Sequence, residues 1–274
     1  MNISTSFSRA IEGVDVWRRL PPRRRQKQVQ MSVIIPTLQE ERILERLLRH
    51  FDEETINNYN IELIVSDGGS TDQTTAIARK YADVVATHRA PWRQTIAAGR
   101  NVGAYLSSGT VLVFLNADCM PADWEAFWAF LCQWAKGEGP YALYAALAAP
   151  VVIAPEERIT TDRIVHGVFN AYLSVAAKVG CGVGRGECQV IRRWVFERTG
   201  GYNESLVAGE DFEFFHRVRK WTRIAIPRPL LVYESPRRYR RWGYRRILWQ
   251  WFANWSSALI ARRSAAQEWI PVRE

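Results

Sequence analysis

The chain has 274 residues, 47% of them hydrophobic, enough to bury the core of one large domain or two intimate lobes. Its cysteines (Cys119, Cys132, Cys181, Cys188) form no CxxC pair and its N-terminus MNISTSFSRAIEG has no apolar secretory core, which excludes a disulfide framework and points to a reduced, cytosolic chain with buried thiols and no membrane-spanning helix. The formal net charge of +9 sits in two patches, six basic residues in 18–27 and eight arginines in 236–263; the other 23 basic residues face 28 acidic ones, a net of −5, so any anionic partner is met at those patches only.

Residues 1–30 carry little periodic signal, and Pro21-Pro22 with the adjoining arginines reads as a basic, extended, mobile arm. SVIIP (32–36) is a short buried strand, followed by a helix over 38–50 with Ile43, Leu44, Leu47, Leu48 and Phe51 on one face. ELIVS (62–66) is the next strand. It ends in Asp67-Gly68-Gly69-Ser70-Thr71-Asp72, where two glycines allow a sharp turn and Ser70 or Thr71 caps a helix over 72–81. A brief strand over 83–87 precedes a helix over 92–107 that bears Arg93, Arg100 and Asn101 and stops at Ser108-Gly109. VLVFL (111–115) is a buried strand ending in Asn116-Ala117-Asp118. This alternation of strand and helix is the signature of a parallel sheet covered on both faces.

Beyond it, 122–136 is an aromatic helix whose Trp124, Phe127, Trp128, Leu131 and Trp134 belong to the core. Residues 141–154 form one or two buried strands. A helix over 160–179 turns Ile164, Val168, Ala171, Tyr172 and Val175 inward. A glycine loop, a strand, a short helix, the Gly200-Gly201 turn and a helix from about Ala208 follow. One or two strands over 223–234 and a final helix over 241–263 complete the chain. There is no internal repeat.

Two carboxylates stand out. Asp67 and Asp118 each end a strand of one parallel sheet, where open α/β sheets bind ligands. A carboxylate there accepts hydrogen bonds from a base or ribose, or binds a hard cation; Mg²⁺ favours one or two carboxylates plus substrate phosphates. Turn capping is the competing role.

IIPTLQEE, SDGGSTDQT, GRNVGAYLSSG and FLNADCMP, in that order, resemble the inverting family 2 glycosyltransferases of GT-A fold, and IRRWVFERTGGYNE followed by GEDFEF resembles their acceptor segment with its Glu-Asp pair. The resemblance runs from about residue 32 to 234. It implies a GT-A (Rossmann-like) α/β fold with a mostly parallel central sheet flanked by helices. A nucleotide-binding half would occupy 31–121 and an acceptor half 122–235, with a basic, Trp-rich helical extension over 236–274. It further implies transfer of one sugar from a nucleotide-diphosphate donor, with a lean towards uridine, to a hydroxyl of a lipid-linked or small-molecule acceptor. Pro36, Thr37 and Glu40 would line the nucleoside pocket. Asp67, with Gly68, would read the base. Arg100 and Asn101 would lie beside sugar and phosphates. Asn116, Ala117 and Asp118 fall where the family's DxD lies, so Asp118 would hold Mg²⁺ or Mn²⁺. Asp211, beside Glu210, would be the catalytic base, kept ionised by a helix N-terminus.

The chain departs from that pattern at Asn116, which replaces the first Asp of DxD, and lacks a QxxRW motif: Gln189-Val190-Ile191-Arg192-Arg193 precedes Trp194 and lies upstream of Glu210-Asp211. This argues against a processive synthase. GCGVGRG does not fit GxGxxG, no P-loop is present, and His50, His88, His166 and His216 share no ligand spacing. Over 237–263, Ile247, Leu248, Trp251, Phe252, Trp255 and Leu259 fall on one helical face between arginines, suiting either packing on the domain or an anionic membrane on the cytoplasmic side. The rival readings are a nucleotidyltransferase of related fold, which would need a glycine-rich N-terminal loop that SVIIPTLQEE lacks, and a non-catalytic basic surface binder; nucleic acid is not an expected partner.

Overall fold

In the computed structural model, which describes residues 11–23 and 28–260 apart from the side chains of 252 and 254–260, the apolar runs form strands and the amphipathic ones helices. Arg24, Arg25, Lys27, Arg262 and Arg263 of the basic patches, and Phe252, Trp255 and Leu259 of the expected C-terminal face, lie outside the described residues or side chains. In chain order the elements are β1 (Val14–Arg18), β2 (Met31–Thr37), α1 (Leu44–Leu48), α2 (Glu53–Asn58), β3 (Ile61–Asp67), α3 (Thr74–Tyr81), β4 (Val84–His88), α4 (Ile96–Leu106) and β5 (Val111–Leu115). They continue with β6 (Cys119–Pro121), α5 (Trp124–Ala135), β7 (Ala146–Ala148), β8 (Val151–Ile153), α6 (Thr160–Lys178), β9 (Cys188–Arg192), α7 (Arg193–Thr199) and α8 (Glu210–Val218). Last come β10 (Ile224–Ala225), β11 (Val232–Glu234), α9 (Arg237–Trp242) and α10 (Tyr244–Ile260).

Two compact units result. The first is Met1–Asp118 with Val190–Tyr202, and its strand order is β1-β4-β3-β2-β5-β9. β2 pairs in parallel with β3 and β5, and β3 with β4; the register sets Thr37 opposite Asp67 and Met31 opposite Val111. The carboxyl ends of β2, β3 and β5 therefore open on one edge. The chain builds outward from β2 through β3 to β4 and then returns to place β5 on the other side of β2. That reversal is the switch point at which open α/β sheets leave a ligand crevice. The strands β2 to β5 are buried almost throughout because helices cover them. α4 lies so close to β2 that a Cβ at Gly103 would sit 2.3 Å from Ile34 Cγ2.

The mobile-arm reading of 1–30 is corrected over 14–23. β1 pairs antiparallel with β4. Arg19 donates to the carbonyls of Ala82 (3.1 Å) and Lys80 (2.6 Å), where the C-terminal end of α3 favours a cation, and Arg23 donates to Asp83 at 3.1 Å. The helix expected from residue 38 starts later, because Gln39 adopts φ 58 and Glu40 and Gln39 donate their backbone N–H groups to Thr74 and Ser70.

The second unit is Cys119–Gln189 with Asn203–Glu274. It holds β7 and β10, which pair in parallel, and a three-stranded sheet of order β6-β11-β8. Phe127, Trp128, Leu131 and Trp134 of α5 are buried, as their spacing indicated. The glycine loop before β9 is a packing device: a Cβ at Gly182 would meet the Phe215 carbonyl oxygen at 2.3 Å. All four cysteines are free thiols, but Cys181 is exposed rather than buried.

Two expectations fail here. α6 turns Asp162, His166, Leu173, Ala176 and Ala177 inward, whereas Ile164, Val168, Tyr172 and Val175 are exposed. The helix carries an apolar stripe on each side, and the polar residues of the inner one find buried partners, so periodicity alone picked the wrong face. The single C-terminal helix is two, α9 and α10, broken at Gly243 with φ 74. Of its apolar face, Ile247 is buried with Ile153 and Tyr239, and Trp251 packs against that cluster, which is the packing alternative for these two residues.

Candidate active site

The donor-side candidates lie at the carboxyl edge of the first unit. Asp67, at the end of β3, is 1% exposed. Its Oδ1 accepts from Thr37 Oγ1 (3.0 Å) and Ser70 Oγ (2.5 Å), and its Oδ2 from the backbone N–H groups of Gly69 (3.0 Å) and Ser70 (2.7 Å). Four donors fill the roughly four lone-pair sites of a carboxylate. Asp67 thus organises the 67–70 turn and its bond to Thr37, while Gly68 N–H donates to the Thr37 carbonyl at 2.9 Å. Pro36 is half-buried at the end of β2, and Glu40 stands in the loop stitched to α3.

At the end of β5, Ala117 is buried while Asn116 and Asp118 are half-exposed. Arg100, 1% exposed on α4, donates from Nη2 to Asn116 Oδ1 at 3.1 Å, and its guanidinium lies 5.2 Å from the Tyr202 ring centre. Phe114 meets the same ring edge-on at 5.2 Å. Asn101 does not point its amide at this edge. It donates to the Tyr202 carbonyl and accepts from the Tyr202 N–H, both at 2.9 Å, and a Cβ at Gly201 would meet its Oδ1 at 2.7 Å. Arg193 donates to the carbonyls of Gly109 (2.6 Å) and Ala104 (3.2 Å), closing the C-terminal end of α4. The segment 190–202, expected on the acceptor side, therefore belongs to the first unit, where it fixes Arg100 and Asn101.

Among the described residues no cluster of three or more His, Cys, Asp or Glu side chains is disposed to hold a metal. A half-exposed carboxylate at Asp118 beside an amide would suit a hard divalent ion only with its coordination completed by substrate phosphates.

In the second unit, Glu210 and Asp211 open α8 after Gly209, whose φ of 80 sets the turn. Glu210 is buried and Asp211 is half-exposed, accepting from the Phe212 N–H at 2.9 Å. Three acids in this first turn suit the positive end of the helix.

The second unit also holds a charge cluster that the sequence did not disclose. Arg185, 2% exposed, donates to both oxygens of Glu187 (2.5 and 3.2 Å), to Glu234 Oε1 (2.6 Å) and to His166 Nδ1 (3.2 Å). Tyr239 donates to Glu234 at 2.7 Å. Burial raises the Glu234 pKa to about 7 against the pull of Arg185, while for Glu187 burial is outweighed by Arg185 and the pKa falls. Burial, then the Arg185 charge, lowers His166 to about 4, so its 3.6 Å approach to Glu234 is not an ion pair near neutrality. Because Tyr244 donates to Asp162, Nε2–H of neutral His166 donates to Tyr244 and Nδ1 accepts from Arg185, which leaves the 3.2 Å approach of Nδ1 to the Val151 carbonyl without a hydrogen. Burial would raise Asp162, but hydrogen bonds from Arg240 and Tyr244 bring it to about 2. No regular spacing links residues 162, 166, 185, 187, 234 and 239, so no motif could have revealed them.

A parallel sheet with acidic loops at its carboxyl edge is the fold of the GT-A glycosyltransferases, and solved structures of low sequence identity agree. The chain matches the mannosyltransferase PcManGT from Pyrobaculum calidifontis, solved with GDP-Man and Mn²⁺, with a TM-score of 0.63 and 20% identity, covering 94% of this chain and 72% of that one. It matches glucosyl-3-phosphoglycerate synthase from Mycobacterium tuberculosis, solved with Mn²⁺, UDP and glucosyl-3-phosphoglycerate, with a TM-score of 0.57 and 18% identity, covering 96% and 84%. Residues 32–138 match the Glycosyl transferase family 2. Over 89 residues the chain is 35% identical to validoxylamine A glucosyltransferase of Streptomyces hygroscopicus subsp. limoneus, which is 31% of this chain and 20% of that relative, so it spans a fifth of the relative's length.

Proposed function

We propose that the chain transfers a single sugar from a nucleotide-diphosphate donor, a UDP-sugar, to a hydroxyl of a lipid-linked or small-molecule acceptor, with inversion and with a divalent cation. The observation that carries this reading is the sheet edge at the β2–β5 switch point, where Asp118 and the Arg100–Asn116 pair stand at the end of β5. Pro36, Thr37, Glu40 and the Asp67–Gly68 turn would shape the nucleoside side. Because Asp67 already accepts four bonds, its part there is to hold the turn whose backbone the base meets. Asp118 would hold Mg²⁺ or Mn²⁺, which when bound acts as a Lewis acid on the leaving diphosphate. Arg100 keeps Asn116 oriented and adds positive charge beside the same turn. Asn101 acts through Tyr202, by fixing the segment that packs on Arg100. In the second unit Asp211 would take the proton of the acceptor hydroxyl as that oxygen bonds to the anomeric carbon and the bond to the diphosphate breaks. Glu210, buried beside it, holds the start of α8.

The GDP-Man of one solved structure and the UDP of the other support a nucleotide-diphosphate sugar as the substrate class. Among the described residues no helix is long and apolar enough to cross a membrane. Asp211→Asn keeps shape and removes the base: turnover should fall by at least about a hundredfold, while calorimetry finds nucleotide affinity unchanged. Full turnover by this variant would remove Asp211 from the role.

A further inference from the structure

Among the described residues of the second unit, α6 exposes an apolar stripe. Ile164, Val168, Tyr172, Val175 and, just past the end of α6, Val179 are 57–73% exposed. At 100° per residue they fall within an arc of about 80°, opposite the buried face of Asp162, His166, Leu173 and Ala177. A stripe of this length is not the scatter of single apolar residues normal on a protein surface.

The charges around it indicate what covers it. α6 exposes Arg163 and Lys178, which make no ion pair among the described residues. Its one acid, Asp162, is buried against Arg240 and Tyr244. The adjacent helix α10 packs on α6 through Trp251, 5.3 Å from Phe169, and through Tyr244, 3.1 Å from His166. α9 and α10 carry no acid, and they expose Arg241, Arg245, Arg246 and Trp249. Exposed Glu156 and Glu157 precede α6, but along the helix itself the stripe is accompanied by exposed cations alone, and with Tyr within it this has the chemistry of a helix lying in the plane of an anionic lipid surface. A second copy fits less well: an antiparallel pair of these helices would bring their basic ends together with no exposed acid on either helix to offset them.

We propose that α6 is an interfacial helix that seats the protein on an anionic membrane, with Ile164, Val168, Tyr172 and Val175 entering the acyl boundary and Arg163 and Lys178 meeting lipid phosphates. This does not depend on which sugar is transferred. It is tested by flotation of the full chain with phosphatidylcholine vesicles, with and without phosphatidylglycerol. Binding should require phosphatidylglycerol and weaken with salt. Arg163→Ala with Lys178→Ala should weaken it roughly thirtyfold, about fivefold per charge, and Val168→Glu with Val175→Glu should abolish it. Denaturant unfolding and nucleotide binding should stay at wild-type values in both double variants, which separates loss of the surface from loss of the fold. Three results would overturn the proposal: no vesicle binding by the wild type; binding indifferent to the α6 variants but lost with Arg245→Ala and Arg246→Ala; or a dimer in sedimentation velocity that Val168→Glu dissolves, with no affinity for vesicles.

Discussion

Asp67 in the first unit and Glu234 in the second are both carboxylates at the end of a strand, the first buried and the second with a side chain 10% exposed, and they are held by different means. Asp67 accepts four hydrogen bonds from neutral donors, three of them supplied within three residues of it in the chain. Glu234 accepts from Tyr239 and from Arg185, forty-nine residues distant, and shares that arginine with Glu187. The first arrangement is self-contained, so losing one donor costs one hydrogen bond of about 1 kcal/mol. In the second, one guanidinium answers to two carboxylates and an imidazole, and its loss takes the cation from both carboxylates at once, leaving Glu234 its bond from Tyr239. The turn at Asp67 is thus built mostly from local neutral contacts, while the cluster around Glu234 is locked by long-range charge.

The largest effect should come from breaking that lock. Arg185→Met leaves Glu187 and Glu234 buried without their cation and should destabilise the protein by about 3–5 kcal/mol, read from denaturant unfolding. A loss below about 1 kcal/mol would mean the cluster is solvated and the contrast with Asp67 is false. Asn101→Ala comes next. It removes both hydrogen bonds to the Tyr202 backbone, for about 2 kcal/mol. It should also loosen the packing of Tyr202 on Arg100, which the fluorescence of a bound nucleotide analogue would report as weaker binding.

A subtler test uses pH. Glu234, raised from 4.5 to about 7, stabilises the fold when protonated, so its contribution is complete below pH 4.5 and lost as pH rises to about 7. His166, lowered from 6.5 to about 4, stabilises the fold when neutral, so its contribution is complete above pH 6.5 and lost as pH falls to about 4. Between pH 4.5 and 6.5 the two slopes oppose, and the contribution of this pair should be nearly level there. Glu234→Gln removes one slope, so relative to the wild type its stability should rise with pH across that window by close to one proton's worth. Matching profiles for variant and wild type would show that the two groups are not balanced.

The sequence made most of the first unit legible because its information is local. Strand, turn and helix there follow within short spans, and the runs ending in Asp67 and Asp118 are found where periodicity put them. β1 escaped because its partner β4 lies some seventy residues on, and a five-residue strand declares itself only by pairing. Asn101 was misread because its motif neighbour Arg100 does reach the strand end, whereas its own amide meets Tyr202, a contact made across a hundred residues. In the second unit the aromatic helix α5 buries four of its five expected core residues, since Trp and Phe at helical spacing have one obvious place, while Trp124 in the first turn is half-exposed. α6 was inverted because it offers two apolar stripes, and the choice between them rests on Arg240 and Tyr244 reaching Asp162. Long-range polar pairing leaves no period in the sequence.

The central claim is that the β2–β5 edge holds a nucleotide diphosphate with a divalent ion at Asp118. Calorimetric titration of UDP and GDP into the protein with Mn²⁺, then with EDTA, and again with Asp118→Ala, tests it most directly. The account predicts that UDP binds with Mn²⁺ present and weakens by at least about tenfold, or roughly 1.4 kcal/mol, with EDTA or in the variant. Binding of equal strength in all three conditions, or none to either nucleotide, would contradict it.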